Sequence, residues 1–112
     1  MTTSRRLVAE IGRLAGAPKT RHTIRDQKGP ERPLPAPDVV LLEIEPNGTA
    51  QIYRYTANGE FGGDTWHQTE DDAIHQLRSE YGSAVGSWES VPEAVPDGVD
   101  FAVSWILARR SS

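Results

Sequence analysis

Three short runs of strand-forming residues, separated by asparagine–glycine turns, give the strongest pattern in the chain. Val39-Val40-Leu41-Leu42-Glu43-Ile44 is β-branched and strongly apolar, and Pro46-Asn47-Gly48 follows it. Ala50-Gln51-Ile52-Tyr53-Arg54-Tyr55 then alternates, Ala57-Asn58-Gly59 makes a second turn, and residues 60–66 form a third run loosened by Gly62 and Gly63. Asparagine and glycine accept the positive φ that tight hairpin turns demand. The pattern predicts a three-stranded antiparallel meander.

The period then changes. Thr69 is placed to cap a helix, Glu70, Asp71 and Asp72 suit the positive end of its dipole, and Gly82 ends it. Ala73, Ile74, Leu77 and Tyr81 make its apolar stripe. Residues 85–91, carrying Trp88, read as a fourth strand. Residues 99–109 fit either period, but Asp97 as a cap and Arg109-Arg110 at the far end favour a helix. Upstream, Leu7, Val8, Ile11 and Leu14 recur at helical spacing over residues 4–15, and Gly16 and Pro18 would stop that helix. Residues 17–37 hold five prolines among charges, with Ile24 and Leu34 as the large apolar residues, too little to offset chain entropy.

The expected fold class is therefore α+β. An N-terminal helix (1–16) and a Pro-rich basic linker or arm (17–37) precede a single α+β domain (38–112) of order β-β-β-α-β-α. In that reading a helix covers one face of a four-stranded sheet through Ile52. Tyr53 and Tyr55 then lie on the open face, while Trp88 and Trp105 pack in the core.

Composition narrows the classes of function. The 112 residues contain no cysteine, which excludes disulfides, thiolate nucleophiles and cysteine-ligated metals and suits a cytoplasmic setting. No apolar run is long enough to span a bilayer, and the N-terminus lacks the unbroken apolar stretch of a signal peptide. Charge is divided: residues 1–37 carry eight basic against three acidic side chains, a net +5, and residues 38–112 carry four against thirteen, a net −9. An acidic body repels phosphate backbones, so duplex nucleic acid is not an expected partner. Arginine outnumbers lysine ten to two, a bias that fits a GC-rich bacterial genome.

Candidate chemistry concentrates in Gly62-Gly63-Asp64-Thr65-Trp66-His67-Gln68-Thr69. Tyr53-Arg54-Tyr55, Asn58-Gly59, Gly63-Asp64-Thr65-Trp66-His67 and Glu80-Tyr81-Gly82 together form a pattern that resembles a group of small bacterial proteins. The resemblance spans roughly residues 40–90. It implies no particular activity, and some members of the group look like toxin-immunity proteins.

Several physical readings compete for this cluster. His67, Asp71 and His75 have a spacing that offers two helix-paired metal ligands and a third of unfixed direction. Asp64 could orient His67 as a general base for a small hydrolase-like enzyme, with Thr65 or Thr69 the nearby hydroxyls. A purely structural reading has Gly62-Gly63 permit a bulge, Asp64 bond the turn, and Trp66 fill the space between sheet and helix. A recognition surface would use Tyr53, Tyr55, Asp64, Trp66 and His67 to bind a protein partner. The residues favour a non-enzymatic, acidic protein-binding module without cofactor, and the resemblance together with the charge implies an immunity- or antitoxin-like type. The small enzyme and an accessory structural domain, docked through its N-terminal helix, are the alternatives.

Overall fold

A computed structural model describes residues 4–12, 23–25 and 31–110. Its strands are β1 (Arg5–Glu10), β2 (Thr23–Arg25), β3 (Glu31–Pro33), β4 (Val39–Ile44), β5 (Ala50–Tyr55), β6 (Phe61–His67) and β7 (Glu89–Ser90). Two helices, α1 (Glu70–Tyr81) and α2 (Gly98–Arg110), complete the elements with a short 3-10 turn at Gly82–Ala84. Five strands form one antiparallel sheet in the order β6-β5-β4-β1-β7, and β2 pairs with β3 alone. The class is α+β, but the order begins with a strand where a helix was expected.

That correction has a physical cause. Leu7, Val8 and Ile11 satisfy a helical stripe, yet Leu7, Ala9 and Ile11 also alternate against Arg6, Val8 and Glu10. β4 decides between the two. It is apolar on both faces, and a buried strand must pair its backbone along both edges. β5 takes one edge, and β1 takes the other in a full six-residue register from Arg5–Ile44 to Glu10–Val39. Tertiary pairing thus overrides local periodicity. Residues 13–16 of the expected helix lie outside the described residues, as do 17–22 and 26–30 of the expected arm.

The sheet is covered on both faces, where one covered face was expected. Val40, Leu42 and Ile44 of β4 join Ala9, Ile11, Ala50 and Ile52 in a core closed by Ala73, Leu77 and Tyr81 of α1. Val39 and Leu41 point the other way and meet Val8, Val91 and the α2 residues Ala102 and Ile106. An unbroken apolar run such as 39–42 is what a strand buried on both faces requires.

Caps fix both helices. The Thr69 hydroxyl accepts the Asp72 N–H at 3.1 Å, and Asp97 Oδ1 accepts those of Val99 and Asp100 at 2.9 and 3.2 Å. At the far end of α2, Arg110 reaches Glu10 (3.2 Å), Asp38 (2.5 Å) and the Ile11 carbonyl (3.0 Å). The Trp105 indole N–H donates to Glu89, with the Arg109 guanidinium 4.7 Å from its ring centroid. Trp88 and Trp105 are partly buried, one against each core. The strand expected over 85–91 is reduced to β7 and one bridge from Val85 to Ile11. Gly86 breaks it, pressed so close to β1 that a Cβ there would stand 3.2 Å from the Glu10 carbonyl.

Candidate functional site

β5 and β6 carry every residue of the predicted recognition surface, and alternation sorts them. Gln51 faces Trp66 across the ladder, Tyr53 faces Asp64, and Tyr55 faces Phe61. All six lie on the α2 side of the sheet. Contacts bear this out: Gln51 Nε2–H donates to Asp64 Oδ2 at 3.1 Å, and the Tyr55 and Phe61 rings meet edge-on, 5.7 Å between centroids. α2 packs over β4 and β1 and stops short of this outer half. Tyr53 and Tyr55 are therefore half-buried along the margin of its core. Phe61 is 39% exposed and Trp66 60%. Trp66 does not fill the space between sheet and helix, as the structural reading required, because its register partner Gln51 lies beyond the reach of α2.

The electrostatics of this face are acidic. Burial, followed by the negative charges of Glu43, Asp64 and Glu45, pushes the Tyr53 hydroxyl above its ordinary range. Burial and the charges of Asp64 and Asp97 do the same to Tyr55. Glu43 is itself raised, first by burial and then by Glu45, with Arg6 opposing. The Arg6 guanidinium is otherwise engaged, donating to the Pro92 and Val95 carbonyls at 3.0 and 2.7 Å.

His67 belongs to the other face. Its Nε2 shares a 2.8 Å hydrogen bond with the Thr65 hydroxyl on the α1 side, so the strand separates it from Asp64. Asp64 is hydrogen-bonded to Gln51 instead. Burial, with the positive charge of Arg54 second, lowers the His67 pKa below its ordinary value, while Glu80 and Asp72 pull the other way. Asp71 and His75 are exposed on α1. Among the described residues, no three His, Asp or Glu side chains stand close enough together to hold a metal ion.

Beneath Thr65 lies a feature that sequence reasoning missed. Arg54 is fully buried, and its guanidinium meets Glu80 in a two-bond fork, Nε to Oε1 at 3.1 Å and Nη2 to Oε2 at 2.9 Å. Gln76 donates to Glu80 at 2.6 Å, and Arg54 also reaches Thr65 Oγ1 at 3.2 Å. The buried Tyr81 hydroxyl is held above its usual range by burial and the Glu80 charge. Room for the arginine comes from an irregularity in the β5–β6 register, where Gly62 and Gly63 stand opposite it. A Cβ at Gly62 would lie 3.3 Å from the Arg54 Cβ and carbonyl and from the Pro35 carbonyl, and Gly63 has φ 106°. The signal was present: Arg54 shares parity with Ala50 and Ile52, and Glu80 continues the stripe of Ala73 and Leu77.

No family model, curated protein or solved structure matches this chain. Among the described residues, no helix is long and apolar enough to cross a membrane.

Proposed function

We propose that this protein is a non-enzymatic binding module whose acidic, aromatic sheet face takes a basic segment of a protein partner. The observation that supports it is that Tyr53, Tyr55, Phe61, Trp66 and Asp64 share the half-face that α2 covers only in part, with Phe61 and Trp66 exposed. Aromatic rings contribute large contact area with few torsions to freeze. Their faces also attract guanidinium and ammonium groups, and neighbouring carboxylates supply charge-assisted hydrogen bonds. β6 is an edge of the sheet among the described residues, so an extended segment could pair beside the same rings. His67, on the opposite face, has no part in this surface. An immunity- or antitoxin-like role is the form of this function that the sequence resemblance supports, with the acidic face covering a basic effector.

A peptide array spanning basic, neutral and acidic sequences tests the reading. Binding should concentrate on arginine- and lysine-rich peptides and fall sharply for Trp66→Ala and Asp64→Asn. Binding independent of peptide charge, or unchanged in both variants, would refute it.

A further inference from the structure

The opposite side of the sheet carries a concavity of its own. α1 ends where Gly82 turns at φ 56° and donates its N–H to the Arg78 carbonyl. The chain then runs back beside β1, with the Gly86 N–H on the Glu10 carbonyl at 2.8 Å. Between the end of α1 and this returning run lies a pocket of about 500 Å³, lined by Ile74, Leu77, Arg78, Ser83, Val85 and Trp88. Gly82 and Gly86 also border it, and neither puts a side chain there. Its size falls in the range that holds small ligands, and its make-up follows the same rule: apolar walls with a few polar groups that fix orientation.

Its charge is the informative property. Among the described residues Arg78 is the one charged group in the lining, and its guanidinium makes no hydrogen bond or ion pair with another described residue. Residues 38–112 carry a net −9 from four basic and thirteen acidic side chains, so a pocket whose one charge among the described residues is a cation stands out within that acidic stretch. A guanidinium presents a planar fork of donors that matches a carboxylate. Ile74, Val85 and Trp88 offer nothing to a second charge, and burying one unpaired is costly.

We infer that this pocket binds a small monocarboxylic acid with an apolar body, its carboxylate on Arg78 and its body against Ile74, Val85 and Trp88. Dicarboxylates and neutral isosteres are disfavoured, the first by an unpaired charge against apolar walls and the second by the loss of the ion pair. The site is independent of the aromatic sheet face, which lies on the other side of the sheet.

Amide-resolved NMR titration of the full chain with phenylacetate, hexanoate and the neutral control phenylacetamide tests it. Saturable shifts should concentrate at Gly82, Ser83, Gly86 and the Trp88 indole. Phenylacetamide should bind about tenfold more weakly than phenylacetate, as expected for losing one charge-assisted contact. Arg78→Gln should abolish that difference without loss of fold, since Arg78 is exposed, and Trp88→Ala should weaken acid and amide alike. No saturable shift by about 10 mM ligand overturns the proposal, since affinities weaker than millimolar leave little binding energy to assign. So do shifts centred on Trp66, equal binding of acid and amide, or an Arg78→Gln variant that behaves as wild type.

Discussion

The two sides of strand β5 treat their residues in opposite ways. Toward α1, the strand buries Ala50, Ile52 and Arg54 completely or nearly so, and the arginine is matched by Glu80. Toward α2, it sends Gln51, Tyr53 and Tyr55 only half under cover, beside an exposed Trp66. A charged side chain is thus hidden while large rings stay in contact with water. The first arrangement is tolerable because the guanidinium is forked onto a carboxylate and further bonded to Thr65. The second persists because α2 lies mainly over β4 and β1, so it covers the outer strands of that face only at their margin. On one side of β5 every side chain is buried, and on the other the rings stay partly in water.

The contrast can be broken most forcefully at the buried pair. Glu80→Ala should cost about 3–5 kcal/mol in urea denaturation, because it leaves the Arg54 charge buried without its partner. Arg54→Met combined with Glu80→Leu should recover most of that loss. If Glu80→Ala is nearly neutral, the pair does not anchor this side. On the α2 side, Ile106→Ala should cost about 2–5 kcal/mol, comparable with Leu77→Ala on α1, as both leave cavities in a core. A cost for Ile106→Ala no larger than a surface change, about 0.5 kcal/mol, would mean that α2 is not packed as described.

Smaller effects sharpen the same picture. Thr69→Ala should lower stability by about 1 kcal/mol through loss of the α1 cap. His67 titrates below its ordinary value of 6.5 in the folded state, so the native chain binds fewer protons there than the unfolded chain. Its contribution to stability is complete above pH 6.5 and is lost as pH falls through the folded value. His67→Asn should flatten the acid limb of a stability–pH profile, and an unchanged limb would contradict the assignment. Trp66→Ala should change the melting free energy by no more than about 0.5 kcal/mol, as its ring is largely in water.

The meander was legible because Asn47-Gly48 and Asn58-Gly59 leave little choice of connection, and α1 because Thr69 and Gly82 mark both ends. β1 was not, since Leu7, Val8 and Ile11 satisfy two periods and only pairing with β4 chooses between them. The second covered face was written in Val39-Val40-Leu41-Leu42, which does not alternate, but a single-helix layer left that run unexplained. At the candidate site, alternation from Ile52 put Tyr53 and Tyr55 on the face opposite α1, which was expected to be open and is partly covered by α2. It also implied that Asp64 and His67, three residues apart, diverge, and that Arg54 turns inward. Trp66 was misjudged for a different reason: the reach of α2 across the sheet is a tertiary property with no local signal.

The central claim, that the exposed half-face exists for binding and the buried pair for folding, is tested most directly by quantitative affinity capture from the source cells. Wild-type protein and the Trp66→Ala/Asp64→Asn double variant would be compared after matching their thermal melts. The two should melt alike, and the wild type should retain basic proteins in a salt-sensitive manner that the variant loses. Equal capture by both, or capture of proteins without regard to charge, would contradict that claim.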